Sequence, residues 1–129
     1  MPKPVWMREI EVLALHRRLL AQFGGSDGIR DAALLDSALA RPRNRFVYAE
    51  LPPALPELAA AYAFGICRNR PFVDGNKRTA MAVAILFSEF NGAEVTATQE
   101  DAYLTFLGLA AGSISEEDLT HWFAENSAR

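Results

Sequence analysis

The chain reads as an all-α protein, a compact bundle of about six helices, on three observations. Apolar residues recur at helical spacing in separate blocks, each closed by a capping or stop residue. Two central blocks are apolar on nearly every side, which places them in the middle of a bundle. The alternating pattern of a half-buried strand is almost missing. The 129 residues, half of them apolar, suit one domain over residues 1–129 with a single core.

The first helix is expected from about Trp6 to Phe23, where Ile10, Leu13, Leu20 and Phe23, with Ala14, share a face before Gly24-Gly25. Asp31 is placed to cap a short second helix, which Arg41-Pro42 should end. Residues 43–56 hold three prolines and the extended-looking Phe46-Val47-Tyr48. They read as an irregular, flap- or hairpin-like surface arm, centred on residues 43–53. A third helix follows from about Glu57 to Arg68, and a fourth contains Met81 to Phe90 and stops at Asn91-Gly92. Thr98 can cap a fifth helix through about Ala110, with Glu100 and Asp101 in its first turn. Ser115 can cap a sixth, with Leu119, Trp122 and Phe123 facing in.

Composition bounds the function loosely. The net charge of −3 gives no reason to expect a bulk polyanion such as DNA as partner. Cys67 is the only cysteine, so no internal disulfide forms, and with no flanking histidine it reads as a buried thiol rather than a nucleophile. The N-terminus lacks a signal-peptide pattern and the longest apolar run, Met81 to Phe87, is too short to span a bilayer. A cytoplasmic protein without membrane attachment is expected. Charge is unevenly spread: Arg41, Arg43, Arg45, Arg68, Arg70, Lys77 and Arg78 share a stretch with three acids. From Thr79 on there are eight acids and one base, Arg129. This pattern is either a solvated surface or a local anion site.

The loop between the third and fourth helices, residues 69–76, lies between the two most apolar segments, so its polar groups need partners or a function. Gly75 permits a backbone turn that points successive amides inward. Those amides open a helix, where unpaired N–H groups and the dipole attract anions. Lys77 and Arg78 add positive charge, and Arg78 can grip a phosphate with two hydrogen bonds. Asp74 offers the hard carboxylate that Mg²⁺ prefers, with phosphate oxygens and water completing the shell. Asn76 can donate to a phosphate or hold the loop, and Phe72 would anchor the turn in the core. No Walker A pattern is present. Singly, each residue has an ordinary structural explanation; together they describe a polyphosphate site.

The stretch Arg70-Pro71-Phe72-Val73-Asp74-Gly75-Asn76-Lys77-Arg78 resembles the Fic signature, His-x-Phe-x-(Asp/Glu)-(Gly/Ala)-Asn-(Gly/Lys)-Arg, and eight of its nine positions fit. The resemblance to Doc proteins within the Fic/Doc family extends from His16 through the Gly24-Gly25…Gly28-Ile29-Arg30-Asp31 segment and Leu35…Arg41-Pro42 to Gly112…Trp122. It implies a Fic-fold bundle and, because Lys77 stands where AMP-transferring relatives usually carry glycine, the Doc reaction. That reaction moves the γ-phosphate of ATP to a threonine of translation elongation factor Tu, blocking protein synthesis. By the same resemblance Asp74 holds Mg²⁺, while Asn76, Lys77 and Arg78 bind phosphates in the turn made by Phe72 and Gly75. Arg68 adds a further cation, and the arm from Arg43 to Leu51 sits where the family's flap docks its target. The self-restraining helix [Ser/Thr]-x-x-x-Glu-[Gly/Asn] of some relatives is absent, so a separate Phd-like antitoxin is implied.

Arg70 departs from the pattern. In the family the first motif residue is a histidine that acts as general base. A guanidinium stays protonated and offers no acceptor, and losing a general base typically costs on the order of 10²–10⁴ in rate. Arg70 is therefore an inactivating change, the mark of a natural pseudoenzyme, or a transition-state clamp served by another base. The only two histidines, His16 and His121, read as packing or surface residues, with neither expected beside the motif. AMP transfer and a non-catalytic Fic-fold binding module are the competing functional readings.

Overall fold

In the computed structural model, which describes residues 3–128, helix α3 (Leu55–Asn69) occupies the centre. Alanines 59–61 and 63, with Gly65, keep its surface small, so neighbouring helices approach closely, while Leu58, Tyr62 and Ile66 fill the gaps between them. Helices α2 (Ala32–Tyr48), α4 (Asn76–Phe90) and α6 (Glu116–Glu125) pack around it. Helix α1 (Glu9–Phe23) and helix α5 (Gln99–Ala111) cover α4 from outside. Six helices make the bundle, as the periodicity predicts.

The predicted caps form. Asp31 accepts the Leu34 amide at 3.0 Å, and Thr98 accepts the Asp101 amide at 3.1 Å. Ser115 and Asp118 cap each other's amides at 3.0 and 2.9 Å. The Asp118 carboxyl is lowered from its ordinary pKa, first by the hydrogen bond from the Ser115 amide.

Three expectations need correction. The first helix begins at Glu9, not Trp6. Trp6 instead lies in an extended lead-in, stacked on Phe87 at 5.9 Å and edge-on to Phe46 at 5.8 Å. The second helix does not stop at Arg41-Pro42, and residues 43–48 are helical rather than a hairpin-like arm. Proline in a helix interior costs roughly 3 kcal/mol, yet Pro42 is buried and its helix packs along α3. On either side of it, Arg41 and Arg45 pair with Glu116 of α6 at 2.6 and 3.1 Å, tying down the second half of α2. The irregular connection shrinks to residues 49–54. Last, two very short strands, β1 (Glu94–Val95) and β2 (Ser127–Ala128), pair antiparallel, with Glu94 opposite Ala128. Two residues carry no readable alternation. No helix is long and apolar enough to cross a membrane among the described residues.

The lead-in is fastened to the core by Tyr62, whose hydroxyl accepts the buried Met7 amide at 3.0 Å. Burial raises the Tyr62 pKa above its ordinary value, against the lowering effect of the Met7 hydrogen bond and of Arg43. Tyr62→Phe leaves the Met7 N–H unpaired in the core and is expected to lower unfolding stability by about 1–3 kcal/mol. An unchanged denaturant midpoint would refute this role for the hydroxyl.

Candidate active site

Helix α3 ends at Arg70, which adopts the left-handed conformation (φ 49°, ψ 57°), the one non-glycine residue with positive φ among those described. Such a conformation is unfavourable for a residue with a Cβ, and here the surroundings impose it. The Arg70 amide donates to Ile66 at 3.0 Å. Arg30 reaches across from the α1–α2 connection: its Nε donates to the Arg70 carbonyl at 2.7 Å and its Nη2 to the Asn69 carbonyl at 2.8 Å. Two carbonyls left open at the helix end are thereby satisfied by a cation, favourable also for the helix dipole.

The motif loop is zipped along its length to residues 24–31. The Pro71 carbonyl accepts the Arg30 and Asp31 amides at 2.7 and 3.1 Å, and the Val73 amide donates to Gly28 at 3.0 Å. Gly25, with φ 122°, lies so close that a Cβ there would stand 2.9 Å from Asp74 Oδ2. The Asp74 carboxylate lies against the Gly25 backbone here, and the positive φ is one that a residue with a Cβ rarely adopts.

His16 stands directly beneath the loop, contrary to the expectation that no histidine adjoins the motif. It is 2% exposed, its ring lies 3.8 Å from and nearly parallel to that of Phe72, and Nε2 sits 2.8 Å from the Asp74 carbonyl. A carbonyl oxygen only accepts, so Nε2 carries the proton and donates. Distance in sequence hid the contact: fifty-eight residues separate the two.

The predicted site residues divide by position. Arg70, Asp74, Asn76 and Lys77 line one cleft of about 260 Å³, together with Cys67, Val73 and Ala110. Asp74, Gly75, Lys77 and Arg78 border a second concavity of about 220 Å³ on the α1 side. Lys77 thus lies between the two. Arg78 is stacked over Phe23, its guanidinium carbon 3.9 Å from the ring centre, and does not line the first cleft. Arg68 also lies outside that cleft, beside Phe64 at 5.6 Å. Phe72 is buried, as expected of the anchor.

Asn76 holds the loop. Its Oδ1 accepts the Phe72 amide and its Nδ2 donates to the Phe72 carbonyl, both at 2.9 Å. Gly75 caps α4 in the left-handed region at φ 78°. The Thr79 amide closes the first turn onto Gly75 at 3.0 Å. The three amides before it, at Asn76, Lys77 and Arg78, have no acceptor among the described residues. A helix start with free amides and a lysine attracts anions.

Asp74 is exposed, and its carboxylate accepts the Gly75 amide at 2.9 Å and the Ser26 amide at 3.2 Å. No three His, Cys, Asp or Glu side chains gather into a metal cluster among the described residues. One hard carboxylate beside an anion cradle fits Mg²⁺ only as a companion of bound phosphates, the usual way that ion is held. Cys67, expected to be a buried thiol, is only half-buried and lines the motif cleft. Burial pushes its pKa up to about 11, with Lys77 pulling weakly the other way.

With the geometry in place, the relatives are informative. Residues 6–88 match the model of the Fic/DOC family. The chain is 37% identical over 105 residues to the Protein kinase doc of Escherichia phage P1, covering 81% of this chain and 82% of the phage protein. Over 75 residues it is 44% identical to the Toxin Doc of Mycolicibacterium smegmatis, covering 58% of each. The chain therefore belongs to the Fic/DOC family. Within it, this is a Doc-type member.

Three outcomes test the site's construction. His16→Phe keeps a ring against Phe72 but orphans the Asp74 carbonyl, and should lower stability by about 1–3 kcal/mol in a denaturant titration. Cys67, protonated at pH 8, should react with a thiol reagent on the order of a hundredfold more slowly than a free thiol. Because its folded-state pKa is raised, the stability linked to it is complete below the ordinary value of 9.0 and fades as pH climbs towards about 11. A Cys67→Ala variant should lack that contribution to the alkaline loss, measured as the fall in melting temperature.

Proposed function

We propose that this chain is the toxin of a toxin–antitoxin pair, built as a protein kinase and disabled at the proton-transfer step by Arg70. The observation that carries the reading is the start of α4. Asn76 and Lys77, whose amides are unpaired, line a cleft with Asp74 and position 70, and the third unpaired amide, that of Arg78, follows in the same turn. The names of the two relatives, a protein kinase and a toxin, point the same way.

In this reading the amides of residues 76–78 and the Lys77 ammonium grip the β- and γ-phosphates of ATP. Asp74 helps hold Mg²⁺, which offsets phosphate charge when bound. The acceptor is a threonine hydroxyl of elongation factor Tu. Its oxygen forms the new bond to the γ-phosphorus, the bond from that phosphorus to the β–γ bridging oxygen breaks, and ADP leaves. The hydroxyl proton needs an acceptor at position 70, which imidazole provides and guanidinium does not. The exposed apolar cluster of Val47, Tyr48 and Leu51, at the end of α2 and just beyond it, offers the target a place to dock. A Phd-like antitoxin restrains the toxin, and the pair works in the cytoplasm.

The test is Arg70→His with ATP labelled separately at the α- and γ-phosphates and purified elongation factor Tu. Label from the γ-position should appear on the factor at a rate about 10²–10⁴ above the unaltered chain. Transfer of the α-label would show AMP transfer instead, and no label from either would sink both enzymatic readings in favour of a binding module.

A further inference from the structure

A second concentration of positive charge lies away from the motif loop. Between α2 and α3 a pocket of about 430 Å³ is bordered by Arg41, Asn44, Arg45, Arg68 and Asn69, with Phe64 and Gly65 at its floor. Three guanidinium groups converge there on a protein whose net charge is −3. The one carboxylate among their ion pairs is that of Glu116, shared by Arg41 and Arg45.

The arginines are not saturated by this arrangement. Arg41 Nη2 donates to Glu116 Oε1 at 2.6 Å, while Arg41 Nε is buried without a hydrogen-bond partner among the described residues. Arg45 Nη2 lies 3.1 Å from Glu116 Oε2, near enough for an ion pair but without an aligned hydrogen bond. Arg68 has no carboxylate partner among the described residues, and its guanidinium lies against the Phe64 ring, as does that of Arg41 at 4.9 Å. Stacking on an aromatic ring leaves the edge of a guanidinium, where its donors lie, open to an acceptor. Two cations beyond the neutralised one, with donors directed by a fixed aromatic floor, match the geometry and charge of a phosphate group.

We propose that this pocket is an oxyanion site for a phosphate group, distinct from the cradle at the start of α4. Arg68 and Phe64 separate it from a neighbouring concavity of about 530 Å³ that contains Cys67 and Arg70. That concavity shares Cys67, Arg70 and Ala110 with the motif cleft, so the two anion sites are the ends of one trough. The phosphate is either free or carried by a nucleotide, and the same recognition serves both.

The experiment is an NMR titration of the whole protein with inorganic phosphate and, separately, with ADP. Phosphate is expected to shift the amides of Ser37, Asn44, Arg45 and Asn69 saturably. Asn44→Asp preserves shape but adds a negative charge, and Arg45→Gln removes a donor. Each should weaken these shifts about tenfold or more, the loss expected of one charge-assisted hydrogen bond. Lys77→Ala, which alters the other end of the trough, should leave them in place. Tighter binding of ADP at the same amides would identify a nucleotide as the carrier. If phosphate moves only the amides of residues 74–78, or if Asn44→Asp, folded by its amide spectrum, binds as well as the unaltered chain, the second site does not exist.

Discussion

The loop that carries residues 70–78 depends on being held from below and from the side by a segment distant in the chain. His16 donates to the Asp74 carbonyl and stacks on Phe72, while Arg30 takes the carbonyls of Asn69 and Arg70. Without these bonds, polar main-chain groups would lie between two of the most apolar helices with nothing to pair with, at a cost comparable to several lost hydrogen bonds. The same contacts set the left-handed turn at Arg70 and leave the first amides of α4 unpaired. Structural support and chemical capacity therefore come from different parts of the sequence, and the support comes first.

This division explains how position 70 tolerates a change of side chain. Its main-chain N–H and C=O are both engaged, but no hydrogen bond or ion pair of its guanidinium occurs among the described residues. The conformation is imposed through the backbone, which leaves the side chain at position 70 no part among the hydrogen bonds that hold the loop. What changes is the proton chemistry: one ring accepts, the other group only donates.

Much of the bundle was legible in the sequence because it follows from local rules. Asp31, Thr98 and Ser115 cap the helices they were expected to cap, and the alanine-rich run around Tyr62 is the central helix. What was hidden depends on tertiary contacts. Pro42 reads as a stop, yet packing against α3 and the Glu116 ion pairs carry the helix to Tyr48. His16 and Arg30 gave no local sign of reaching the loop, since both act on carbonyls from which many residues separate them. Within the motif, sequence pattern brought Asp74, Asn76 and Lys77 to one cleft but could not foresee that Arg78 turns towards Phe23. Long flexible side chains choose their direction from neighbours that a linear pattern does not display.

Where Pro42 interrupts the hydrogen-bond ladder of α2, the carbonyl of Ala38 is left without its usual amide, and Gly65 lies against it. A Cβ on Gly65 would stand 3.3 Å from both the oxygen and the Cα of Ala38. A side chain at position 65 would have to push α2 away from α3, so this glycine sets how near the end of α2 lies to the loop that follows α3. Whatever rests on that rim meets a surface whose spacing was settled when the chain folded.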